Sequence, residues 1–261
     1  MPLLDDISRA QLIDKRNMLR LISELPEQCE TAYGLGMSFA CDPLPEIPNV
    51  ILISGTGEAA TAADMAAAVL KEELTVPIIS DHAGRLPKYI NENSLVIIID
   101  YPGKTVTAIQ NYREAKARKA NIICIASGGT LISMASSDGI QSIRIPPGQP
   151  ERSAIGYLLI PVLIAVEKCG LVSGVTEKLS YGIRLMKNIR EAFRLENPTA
   201  RNTAKQMAET LKDKQAVIYG AADYRAPLAE RWKKQISANS KSIAFSSIFP
   251  DVATSEISGW E

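Results

Sequence analysis

Histidine is nearly missing from this 261-residue sequence, which holds a single one, and aromatic residues make up only 5% of it. That one histidine, His82, follows Asp81 in a connecting segment with no cysteine or second histidine nearby. It reads as a surface residue rather than a ligand, and no metal site is expected. Charge of either sign is in no excess: 29 Lys and Arg face 29 Asp and Glu, and no basic run stands out. This speaks against a nucleic-acid footprint or an anionic-membrane surface. Long hydrophobic runs are lacking too. The most apolar stretch, Ser153–Val166, falls well short of the ~20 residues of a membrane-spanning helix and carries Pro161, so a buried core helix is expected. The four cysteines, Cys29, Cys41, Cys124 and Cys169, show no CxxC spacing and read as reduced small hydrophobes. The opening MPLLDDISRAQLIDK is acidic and has neither an apolar core nor a cleavage pattern, which is not a signal peptide. Together these absences point to a cytoplasmic protein.

What the chain does have is 46% apolar residues arranged in alternation. Leu12, Met18, Leu19, Ile22 and Leu25 recur at helical spacing, predicting an amphipathic helix from about Ser8 that ends before Pro26. Five short β-branched runs follow: Asn49–Ser54, Val76–Ser80, Leu95–Ile99, Ile122–Ala126 and Ser142–Ile145. Helical patterns at Thr61–Glu73 and Thr105–Lys119 lie between them. This order predicts an α/β fold, a doubly wound parallel five-stranded sheet with helices on both faces. Helices are expected over Arg152–Cys169 and Lys178–Arg194, and Leu195–Thr203, broken by Pro198, is the best linker. A second, smaller α/β pattern follows: strand Ala216–Tyr219, helix Ala226–Ser240, strand Ser242–Phe249 and a helix start near Thr254. The expected division is therefore 1–195 and 204–261. The second part is too small for an independent core and is read as an incomplete subdomain or one that leans on another chain.

In an open parallel sheet a ligand sits beyond the carboxyl ends of the strands, where strand order reverses. Two strand-to-helix loops are written for that place. In GTGEAATAAD (Gly55–Asp64), Gly55 and Gly57 let backbone amides turn inward at a helix N-terminus. A third glycine of the dinucleotide fingerprint is missing, so a plain tight turn carries equal weight on motif grounds. In DYPGKT (Asp100–Thr105), Gly103 makes the turn and Thr105 is an N-cap or a phosphate donor.

With these loops in place the sequence resembles the sugar isomerase (SIS) fold, and within it the bifunctional phosphoglucose/phosphomannose isomerases. The resemblance runs from LIDKRNMLRLISELPEQ to ISGWE. It is carried by both loops, by ASGGTL at Ala126–Leu131, by PGQPERSAIGY at Pro147–Tyr157 and by ERWKKQISANSK at Glu230–Lys241. It implies two SIS subdomains in a homodimer, and interconversion of glucose 6-phosphate or mannose 6-phosphate with fructose 6-phosphate without a cofactor. It also implies Gly55, Gly57, Ala59, Asp100, Pro102, Gly103 and Thr105 as the substrate-binding positions. Arg152, which matches an arginine that steadies the enediolate, and Glu256 are implied as the catalytic ones.

The same resemblance marks departures. Glu58 and Ala59 stand where a GMGGSA-like loop has glycine and serine, and Asp100 and Pro102 replace the two serines of an SYSGNT-like loop. The family's base, in a QINENAK-like helix, corresponds to Ala238, and its histidine, in an NHNE-like segment, to Thr254. Neither residue holds a proton with a pKa near neutrality. Three functions follow as expectations. One is a phosphosugar isomerase with rearranged residues. The second is a carbohydrate-derivative-binding relative, ligand sensor or scaffold without turnover. The third, resting on the GxG alone, is a nucleotide-binding α/β protein.

Overall fold

A computed structural model describes residues 3–41 and 43–260; Met1, Pro2, Asp42 and Glu261 lie outside the described residues. Three helices come first: α1 (Ile7–Ile13), α2 (Met18–Ser23) and α3 (Leu25–Ser38). The expected single amphipathic helix is thus broken at residues 14–17, and Pro26 begins a helix instead of ending one. Proline lacks an N–H, and the first turn of a helix has no intrahelical partner for one, so Pro26 fits at the start of α3.

The main body is a parallel sheet of β1 (Val50–Ser54), β2 (Ile78–Asp81), β3 (Ser94–Ile99), β4 (Asn121–Ala126) and β5 (Gln141–Arg144). Its order is β2-β1-β3-β4-β5 and every pairing is parallel, as the α/β reading expects of the pairing. Strands β1, β3 and β4 read as unbroken apolar runs because both faces are covered. Ile51, Ile53, Leu95, Ile97, Ile99, Ile123 and Ile125 pack on one side beneath α4 (Glu58–Leu70) and α7 (Ile155–Lys168). Their neighbours Val50, Leu52, Val96, Ile98, Ile122 and Cys124 pack on the other beneath α5 (Val106–Ala117) and α6 (Gly129–Ser137). A second helical layer joins α3, α7 and α8 (Val175–Ala192) through Cys29, Ala32, Ile160, Ile164 and Ile183.

Beyond α8 the chain is not a free linker. Asp5 accepts from the N–H and the hydroxyl of Thr199, both at 2.8 Å, and from Lys205 Nζ at 3.1 Å. Asn202 caps an unanticipated helix, α9 (Thr203–Leu211). Strand β6 (Ala216–Ala221), α10 (Arg225–Gln235) and β7 (Ala244–Phe249) then form a parallel pair, followed by the short α11 (Val252–Ser255). One π-helical turn, Ile236–Ser240, extends α10, and α10 packs on α4. Among the described residues no helix is long and apolar enough to cross a membrane.

Candidate functional site

Strand order reverses between β1 and β3, so the helices that follow them leave for opposite faces and open a crevice at the carboxyl ends. Both loops singled out from the sequence border it. After β1, Gly57 adopts φ 63° and leads into α4. A Cβ on Gly57 would lie 3.2 Å from Glu151 Oε1, so the glycine leaves room for that carboxylate. The Ala59 N–H donates to Thr56 O (3.1 Å) and lies close enough to the Glu151 carboxylate to favour its charged form.

After β3, the carboxylate of Asp100, 3% exposed, turns back on its own loop. Its Oδ2 accepts from the Thr105 N–H at 2.9 Å, and the Lys104 N–H nearby also favours the charged form. Thr105 Oγ1 accepts from the Ala108 N–H at 3.3 Å and caps α5. Burial pushes the Asp100 carboxyl above its ordinary value, against the pull of these N–H donors. Glu151 is pushed up as well, first by burial and then by the negative charge of Asp100.

Gly103 serves a different purpose. A Cβ at its φ of 66° would overlap Gly128 O in the loop after β4. That close approach is fastened by the Leu131 N–H donating to Gly103 O (2.8 Å) and the Ser127 N–H donating to Tyr101 O (2.9 Å). The space that Gly103 makes therefore admits the neighbouring loop.

The segment bearing Glu151 and Arg152 is tied from two sides. The Tyr101 hydroxyl donates to Pro146 O (3.1 Å) and accepts from the Gln149 N–H (3.3 Å). From α3, buried Gln28 donates to Ser153 O (2.8 Å) and accepts from the Gly156 N–H (2.7 Å).

Helix α10 lies over this margin. Arg231 forms an ion pair with Glu58, the two side chains being 19% and 6% exposed. Burial brings the Arg231 guanidinium down to about 10, still charged at neutral pH. Lys234 Nζ donates to Thr61 Oγ1 at 2.9 Å, and Gln235 donates to Arg152 O at 3.0 Å. Arg152 Nε in turn donates to Asn239 Oδ1 at 2.9 Å.

Thus Gly55, Gly57, Ala59, Asp100, Pro102, Gly103 and Thr105 occupy the two loops beside the crevice, and Arg152 sits where the β6–α10–β7 unit meets the main body. Glu256 is engaged within the smaller unit: it accepts from the Tyr219 hydroxyl at 3.2 Å and from the Ser247 hydroxyl. Ala238 lies in the π-helical turn, and the exposed Thr254 donates to Asp251 O at 3.0 Å. Sequence reasoning missed Glu151, Arg231 and Lys234 as parts of the site. Arg231 and Lys234 share a face of α10 by their i, i+3 spacing, a signal present in ERWKKQ but without an address. Glu151 gave no signal beyond lying beside Arg152. His82, expected at the surface, lies 2.9 Å from Asp64 Oδ1, which also accepts from Ser80 at 2.6 Å.

The chain matches known proteins over both parts. Residues 48–149 match the SIS domain family, and residues 200–261 match the bacterial phospho-glucose isomerase C-terminal SIS domain. A bifunctional phosphoglucose/phosphomannose isomerase of Caldicellulosiruptor bescii is 34% identical over 94% of the chain and 72% of its own length. One of Aquifex aeolicus is 30% identical over 67% of the chain and 50% of its own length. Among solved structures, the C-terminal domain of glucosamine-fructose-6-phosphate aminotransferase from Francisella tularensis superposes with a TM-score of 0.67 at 16% identity. That match covers 94% of this chain and 72% of the other, and at this identity it speaks for the fold alone.

Proposed function

The chain belongs to the bifunctional phosphoglucose/phosphomannose isomerase family, and from that membership we propose that it binds a carbohydrate derivative in the β1/β3 crevice without itself carrying hexose 6-phosphate isomerisation. The observation that supports this most is the crevice itself, bordered by both glycine loops and by the segment bearing Arg152. Aldose–ketose isomerisation needs a base between C1 and C2 and a group to open the ring. At the positions the resemblance assigns to them stand Ala238 and Thr254. Arg152 supplies positive charge, with five N–H donors and no acceptor. The reading extends to a cytoplasmic homodimer with parts 1–195 and 204–261.

A coupled assay for fructose 6-phosphate from glucose 6-phosphate and from mannose 6-phosphate tests the absence of turnover, which is the expected result. Turnover at ordinary enzyme rates, about 1–1000 per second, overturns it. Thermal-shift measurements across phosphorylated and unphosphorylated sugars test the binding. A ligand held only by the folded chain raises the melting temperature, and no rise with any sugar removes the binding claim.

One observation favours a second reading, that of a scaffold. Tyr219, Phe245, Phe249 and Trp260 are exposed on the smaller unit. Beside them an open groove of about 520 Å³ is lined by Met207, Leu211, Val217, Tyr219, Trp232 and Ile236. Such a face suits burial against further polypeptide.

A further inference from the structure

We propose that Cys41 and Cys169 are a redox modification site, at which a small-molecule disulfide oxidises the two thiols to a bond that fastens the α3–β1 connection to the end of α7. The inference is independent of what the crevice binds.

The pairing follows from the way α3 and α7 lie. They run side by side in the same direction, for Gln28 near the start of α3 holds Ser153 and Gly156 at the start of α7. At their far ends Lys168 Nζ donates to Met37 O (2.5 Å) and Phe39 O (2.7 Å), and the Leu44 N–H donates to Cys169 O (3.1 Å). These bonds lay the chain that leaves α3 against the last turn of α7, and the Cys41 and Cys169 sulfurs come within 3.6 Å. Sulfurs in contact, on backbone already joined by hydrogen bonds, meet the first geometric demand of a disulfide. Cys29 and Cys124 have no such setting, since they are buried in two separate clusters of the core.

Exposure sets the order of events. Cys41 is half-buried, whereas Cys169 is 2% exposed. Burial, with the Cys41 sulfur beside it, pushes the Cys169 thiol up to about 12, so it keeps its proton at neutral pH. Cys41 therefore reacts first. Its thiolate attacks one sulfur of the small disulfide, forms a mixed disulfide and releases one small thiolate. Cys169 then attacks the Cys41 sulfur, expels the second small thiolate and hands its proton to it. Two protein thiols lose two electrons, and one small disulfide is reduced to two thiols. In the cytoplasm proposed above such a bond is transient and follows the thiol–disulfide balance.

The test is incubation of the full chain, and of C41S, with oxidised glutathione. In the unaltered chain the thiols counted after unfolding should fall from four to two. Its mass should drop by two hydrogens, and digestion without reductant should yield linked peptides carrying Cys41 and Cys169. Its melting temperature should rise by about 4 °C or more, because the bond closes a long loop. C41S should show neither the link nor the rise, and excess reduced glutathione should reverse both. The linked peptides are read on the unaltered chain, so the test does not depend on the folding of C41S. Four surviving thiols, a lasting mixed disulfide at Cys41 or a link through Cys29 or Cys124 overturns the proposal. A Cys41–Cys169 bond that leaves the melting temperature unchanged overturns the fastening.

Discussion

Glu58 at the first turn of α4 and Arg231 in the middle of α10 form an ion pair shielded from solvent. It joins the two units of the chain at the edge of the β1/β3 crevice. Removing one partner of such a pair strands a charge in a dry place, which costs about 3–5 kcal/mol. Arg231→Ala is therefore expected to lower unfolding free energy by about 3 kcal/mol in urea denaturation. Glu58→Leu combined with Arg231→Met removes both charges together and should cost much less. If the single and paired replacements cost the same, the two residues are not coupled.

Gly103→Ala should be strongly destabilising. The new methyl group would meet Gly128 O at a backbone conformation that only glycine adopts freely. A drop of about 2 kcal/mol or more is expected. Gly182→Ala provides the contrast, because a methyl in that part of α8 meets nothing within 4 Å. There a gain of about 0.5–1 kcal/mol is expected. Paired thermal melts of the two variants give the comparison.

The pH dependence of stability has a definite sign. Burial holds the Asp100 and Glu151 carboxyls above their ordinary values of 3.8 and 4.5. Between those values and the raised ones, the folded chain keeps protons that the unfolded chain has released. Stability contributed by this pair therefore falls as pH rises through that window. Melting temperatures between pH 4 and 7 should show a flatter decline in E151Q than in the unaltered chain. An identical slope would falsify the assignment of that slope to Glu151.

Asp5 acts in the opposite direction. Its hydrogen bond from Thr199, with Lys205 beside it, holds its carboxyl below the ordinary 3.8. What it contributes is present above 3.8 and is lost as pH falls through the lowered value. Asp5→Ala releases the contacts to Thr199 and Lys205, so the 195–203 segment should be cut faster in limited proteolysis. Unchanged cleavage would show that other contacts suffice to hold it.

Much of this architecture was legible in the residues, for stated reasons. The central strands announced themselves because Ile51 to Ile53, Leu95 to Ile99 and Ile122 to Ile125 are buried on both sides, and uniform burial demands uniform apolarity. The loops were legible because a strand that turns sharply into a helix needs residues such as Gly57 and Thr105. Helix α3 was hidden because Pro26 breaks a pattern when met from one side and starts a helix when met from the other. The meeting of Glu151 with Gly57 was hidden for a deeper reason. Glu151 and Gly57, like Arg231 and Glu58, lie far apart along the chain, and no spacing or periodicity records which distant side chain will meet a turn. The type of a residue told what it could do, and only the fold told to whom.

The fastening of Gly103 to the loop after β4 determines which part of the molecule can respond to a ligand. Loops β3–α5 and β4–α6 are locked back to back and form a fixed wall. The other wall meets the smaller unit through a few polar contacts from Arg231, Lys234, Gln235 and Asn239. Any opening of the crevice is therefore expected at the smaller unit. Slow hydrogen exchange at Ser127 and Leu131, with faster exchange along α10, is the footprint such a one-sided door would leave.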